Sequence, residues 1–98
     1  MRKVETVNAS GSYLQGYMKA SYLELVEVFG EPNLGPNDFG LDKVTCEWVL
    51  EYEDNKYCTI YDWKLPETPN YKYQWHIGGN EIECIEHVVN YFNSRKEI

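Results

Sequence analysis

The chain lacks what a nucleic-acid binder, a membrane protein or a disulfide-stapled scaffold would need. Nine basic residues face sixteen acidic ones, and apart from Arg2–Lys3 and Arg95–Lys96 the basic ones are scattered. At a net charge of −7, the surface repels phosphate backbones and anionic lipid. Direct binding to nucleic acid or to a membrane is therefore not expected. Basic partners suit it better, including proteins whose own ligand is nucleic acid. No apolar run approaches a membrane span, and "MRKVETVNAS" has no apolar signal core. The cysteines, Cys46, Cys58 and Cys84, are odd in number and have no paired spacing. That argues against a disulfide framework and fits a reducing cytoplasm. Two histidines and three dispersed cysteines give no metal-ligand spacing, and no cofactor is expected.

What the chain has in quantity is aromatic. Nine Tyr and three Trp in 98 residues suit half-buried sheet faces and interfaces, where one ring edge is dry and the other wet. The length allows one domain. Residues 1–11 are polar and read as a flexible N-terminal arm, leaving 12–98 as a single α+β domain.

Along that domain, Ser12–Lys19 alternates as a strand, with Leu14, Gly16 and Met18 on one parity and Tyr13, Gln15 and Tyr17 on the other. Ser21 and Glu24 form a capping box, and Tyr22, Leu25, Val26 and Phe29 follow helical spacing up to Gly30 and Pro32. The spacing predicts a helix over Tyr22–Phe29. Residues 31–43 are loop by composition. Val44–Glu51 and Tyr57–Lys64 form a hairpin around a polar turn. Tyr71–Ile77 alternates as a fourth β-run, with Trp75 and Ile77 on one side and Gln74 and His76 on the other. Gly78–Gly79 are expected to break that strand. Asn80 with Glu83 then caps a helix over about 81–93, striped by Ile82, Ile85, Val89 and Phe92. The order β-α-β-β-β-α predicts a four-stranded, mostly antiparallel sheet with two helices packed on one face. The other face is left half-wet.

Four candidate sites follow. His76, the backbone of Gly78–Gly79 and Asn80 could form an anion site at a helix entrance, though Glu81 and Glu83 oppose an anion there. The simpler reading is a turn needing positive φ. Asp62 and His76, on adjacent strands, could form the base half of a hydrolytic pair, but no nucleophile accompanies them, so no catalytic residue is assigned. Of the aromatics Tyr13, Tyr17, Tyr61, Trp63, Tyr73 and Trp75, some are core, Trp75 sharing parity with Ile77, while Tyr61 and Trp63 alternate with Ile60 and should lie on the open face, where rings can stack on a base or anchor a partner. Their other reading is a second small core or a dimer interface. Finally, Glu24, Glu27 and Glu31 on the first helix and Glu47 and Glu51 on a strand could imitate a phosphate backbone, or simply form solvated faces.

Five stretches resemble, in order, a family of small proteins encoded by tailed bacteriophages: LQGYMK (14–19), FGEP (29–32), EWVL (47–50), IYDWK (60–64) and WHIGG (75–79). The resemblance implies a phage protein made in the host bacterial cytoplasm, and no activity transfers with it. By analogy, small non-virion phage proteins often antagonise host defences. The expectation is a non-enzymatic anti-defence protein that sequesters a nucleotide-type signal at Tyr61, Trp63, Gln74, His76, Gly78, Gly79 and Asn80, closed over by a homo-oligomer. The alternative is an acidic inhibitor of a host DNA- or RNA-handling defence enzyme, acting through the five glutamates.

Overall fold

A computed structural model describes residues 1–5, 12–35 and 43–96. The elements are β1 (Arg2–Lys3), β2 (Tyr13–Ala20), α1 (Tyr22–Phe29), β3 (Glu47–Glu53), β4 (Lys56–Tyr61), β5 (Tyr73–Gly79) and α2 (Glu83–Lys96). They form one antiparallel five-stranded sheet in the order β1-β3-β4-β5-β2, with both helices packed against it.

Local sequence builds α1 from both ends. Ser21 Oγ accepts the Glu24 N–H at 3.1 Å, and Glu24 Oε1 accepts the Ser21 N–H at 2.9 Å, so two orphan donors are satisfied reciprocally. Gly30, at φ +84°, donates its N–H to the Val26 carbonyl at 2.8 Å and ends the helix. Two fully buried indoles then tie these ends to the sheet. Trp75 Nε1 donates to the Ala20 carbonyl at 2.9 Å, just before the helix, and Trp48 Nε1 to the Gly30 carbonyl at 2.8 Å, just after it. Each tryptophan buries its rings in the core and still satisfies its N–H. The core between sheet and helices also holds Met18, Leu25, Leu50, Ile60, Ile77, Cys84, Val88 and Phe92. Phe29 of α1 stacks on Tyr91 and Phe92 of α2.

The fifth strand is the first departure from expectation. Arg2 pairs with Glu51 and Lys3 with Leu50, so the start of the expected arm is a sheet edge. Arg2 also holds the Glu51 carboxylate at 2.7 Å. The remainder of that arm, residues 6–11, lies outside the described residues. Beyond β1 the same edge of β3 is closed residue by residue. Val4 N–H bonds the Val49 carbonyl, Asn33 Oδ1 accepts the Val49 N–H, and Leu34 exchanges both backbone bonds with Glu47.

A bulge in β2 is the second departure. Leu14 pairs with Gly78 but Gly16 pairs with Ile77, leaving Gln15 as the extra residue. The bulge reverses parity, so Leu14 joins Tyr17 on the open face while Gly16 and Met18 face the helices. Gln15 Nε2 instead reaches the Gly79 carbonyl at 2.9 Å.

Gly78 and Gly79 are the third. They do not break β5. They are buried ladder residues, paired to Leu14 and Tyr13 on one side and to Thr59 and Cys58 on the other. Among the described glycines only Gly30 has positive φ. The requirement at 78 and 79 is space. A Cβ on Gly78 would sit 2.5 Å from Thr59 Oγ1, and one on Gly79 would sit 2.8 Å from Cys84 Sγ and 3.0 Å from the Tyr57 carbonyl. The final helix accordingly starts at Glu83, after a tighter turn in which the Cys84 and Ile85 N–H groups bond Glu81 and Ile82 carbonyls. Asn80 stands ahead of that turn and is not the helix cap.

Candidate functional site

The sheet face away from the helices carries a row of side chains set by register. Glu47 pairs with Tyr61, Tyr61 with His76, and His76 with Tyr17, across β3, β4, β5 and β2. Directly opposite residues in antiparallel pairs share a face, so all four side chains meet there. Tyr61 stacks on the His76 imidazole with centroids 5.3 Å apart at 30°, and Tyr17 meets it edge-on at 5.0 Å. Trp63, just past β4, lies 6.3 Å from Tyr61 and 6.4 Å from His76. Tyr61 and His76 are half-buried at the centre. Trp63 (40% exposed), Tyr17 (48%) and Leu14 (44%) stand out beside them. Gln74 and Lys19 pair with one another at the next open-face position.

Two lysines lean over this cluster. Lys43 Nζ is 5.8 Å and Lys64 Nζ 6.0 Å from the Trp63 ring centroid, within cation–π range. Lys64 adopts φ +56°, a conformation that costs an L-residue roughly 1–2 kcal/mol. Its N–H is anchored on the Lys43 carbonyl at 2.7 Å. Strain of this kind clusters at functional positions. Arg2, Lys56, Lys72 and Lys96 are all ion-paired to glutamates. Among the described residues Lys3, Lys19, Lys43, Lys64 and Arg95 have no carboxylate partner, and Lys19, Lys43 and Lys64 rim the aromatic face. Three of the five cations without a carboxylate partner thus lie around the open rings.

His76 is the under-satisfied member. Its Nδ1 is buried and has no hydrogen-bond partner among the described residues. Burial lowers its pKa below the ordinary 6.5, with the Asp62 charge opposing that shift. Asp62 does not orient it. The fully buried Asp62 carboxylate accepts from the Thr45 N–H at 2.7 Å, the Cys46 N–H at 3.2 Å and the Thr45 hydroxyl, which also meets Thr68 Oγ1 at 2.7 Å. The Asp–His pair considered from sequence is therefore a loop anchor beside an independent histidine. The thiols are equally occupied with structure: all three cysteines are buried, and burial pushes each thiol pKa up.

A depressed histidine pKa makes stability pH-dependent. The unfolded chain takes up the proton more readily, so the neutral ring's contribution is complete above about pH 6.5 and is lost as pH falls through the lower folded value. Wild type is expected to lose more stability than His76→Phe between about pH 7.5 and 5.5 in urea melts. Parallel losses in the two proteins would contradict this.

Of the ligand residues chosen from sequence, Tyr61, Trp63, Gln74 and His76 share the open face. Gly78, Gly79 and Asn80 do not form the expected anion cradle, because the glycines are in the ladder and the helix begins beyond Asn80. The glutamates do not form one surface. Glu24 is occupied by the Ser21 cap and lies 3.7 Å and 3.9 Å from Lys72 and Lys96. Hydrogen bonding to the Ser21 N–H leads the effects that lower its pKa. Glu27 is exposed on α1, and Glu31, expected on that helix, is exposed beyond its Gly30 cap. Glu47 is on the opposite sheet face, where burial raises its pKa, and Glu51 is held by Arg2 at the β1 edge. The ligand set read from sequence left out Tyr17, though it was among the aromatics weighed, and Leu14, Lys19, Lys43 and Lys64. Tyr17 was readable from parity, whereas the lysines converge only through the fold.

A cleft of about 610 Å³ between the start of α1 and residues 66–70 shares no lining residue with this face. Its Thr45 and Thr68 hydroxyls already bond one another. No helix among the described residues is long and apolar enough to cross a membrane. No family model, curated protein or solved structure matches the chain.

Proposed function

We propose that this is a phage-encoded, non-enzymatic binding protein that antagonises a bacterial anti-phage defence by sequestering a nucleotide-type signal in the host cytoplasm. The observation that carries the binding part is the convergence of Tyr17, Tyr61, Trp63 and His76 with two unpaired lysines on one open face. Every nucleobase has a π-face, and stacking on such rings tolerates any base. Lys43 and Lys64 would take the phosphates, the role first given to His76 and the N–H groups of Gly79 and Asn80. Gln74 offers a hydrogen-bonding edge beside the rings. The phage setting and the anti-defence role come from the five-motif resemblance.

Tryptophan fluorescence tests the site directly, because Trp48 and Trp75 are fully buried and only Trp63 is exposed. Saturable quenching is expected with members of a panel of mononucleotides and linear and cyclic dinucleotides, weakening as salt rises. No saturable quenching across the panel would overturn the reading.

A further inference from the structure

The two edges of the sheet are treated differently. The outer side of β3 is closed by β1, Val4, Asn33 and Leu34. The opposite edge, β2, is eight residues long and among the described residues pairs only with β5. Three large hydrophobic side chains stand exposed on it: Tyr13 at 64%, Leu14 at 44% and Tyr17 at 48%. A long edge strand with unpaired backbone groups is a template for another strand.

We infer that β2 pairs antiparallel with β2 of a second copy of this chain, about a two-fold axis through Met18. The bulge at Gln15 leaves Gly16–Ala20 as the regular stretch, and that stretch is self-complementary. Centred on Met18, Tyr17 lies opposite Lys19 of the second copy, twice, on the open face. Gly16 lies opposite Ala20 on the helix face, two small residues side by side. Lys19 is the strand's single charge, so this register sets no like charges against each other and gives each lysine an aromatic partner. The axis is normal to the sheet, so both aromatic faces point the same way and join. Lys19 of the second copy then stands beside the Tyr17–His76 rings. That last contribution rests on the ligand reading above, whereas the pairing itself does not.

Light scattering and sedimentation without any nucleotide test the pairing alone. The expected mass is twice the 11.6 kDa of the chain, in a concentration-dependent equilibrium. Tyr17→Lys sets lysine opposite lysine at two places and should raise the dissociation constant about tenfold. Adding Lys19→Glu sets glutamate opposite lysine and should return it to near the wild-type value. Hydrogen exchange on wild type provides a second measurement that needs no variant: β2 amides should gain protection as concentration rises. A monomer at every soluble concentration would overturn the inference. So would a dimer indifferent to the charge exchange, or β2 amides indifferent to concentration.

Discussion

Asp62→Ala is expected to destabilise the fold by about 3–5 kcal/mol, since each buried donor left without its acceptor costs roughly 1–3 kcal/mol. The carboxylate serves the Thr45 and Cys46 N–H groups and the Thr45 hydroxyl from a fully buried position. Alanine orphans both N–H groups, while the Thr45 hydroxyl can turn to Thr68 Oγ1. Single domains are stable by only about 5–15 kcal/mol, so the variant should lose a large share of its stability and unfold at clearly lower urea. Asp62→Asn is expected to be far milder. Its carbonyl oxygen can keep both N–H bonds, and its amide can donate to the Thr45 hydroxyl, which can then donate to Thr68. Urea denaturation of the three proteins checks this order. An alanine variant as stable as the asparagine one would mean that the carboxylate does not hold residues 45–46 in place.

Trp63→Ala is expected to weaken nucleotide binding by a factor of about 5–150, the range that follows from the roughly 1–3 kcal/mol a base–aromatic stack contributes. The ring is 40% exposed and outside the helix-facing core, so thermal stability should change little. Lys43→Ala with Lys64→Ala should weaken phosphorylated ligands while leaving a bare nucleoside unaffected. Glu24→Lys with Glu27→Lys should leave ligand binding and anti-defence activity intact. An acidic inhibitor of a defence enzyme would show the opposite pattern, losing activity with the glutamates and tolerating Trp63→Ala. Isothermal titration and phage plating on a defended host separate the two.

The parts legible in the sequence are those governed by neighbours along the chain. The Ser21–Glu24 box, the helical stripe and Gly30 define α1 at Tyr22–Phe29, as observed. Parity put Tyr61, Trp63, Gln74 and His76 on the open face. The parts not legible depend on residues far apart. β1 is two residues long and exists because Glu51 and Leu50, nearly fifty residues away, supply its partners. Gln15 carries no mark of a bulge, yet it reverses the parity of Leu14. Gly78–Gly79 resemble a strand breaker locally, but Thr59 and Cys84 make glycine necessary inside the strand. Lys43 comes to Trp63 only because residue 64 folds back onto its carbonyl.

Native mass spectrometry of the protein purified from cells with an active signalling defence tests the central proposal most directly. It reads oligomeric state and any co-purified small molecule together. The expected result is a dimer carrying added mass that fragments to a nucleotide, and the Trp63→Ala protein from the same cells without that mass. A bare chain, free of any small molecule in both proteins, would contradict nucleotide sequestration.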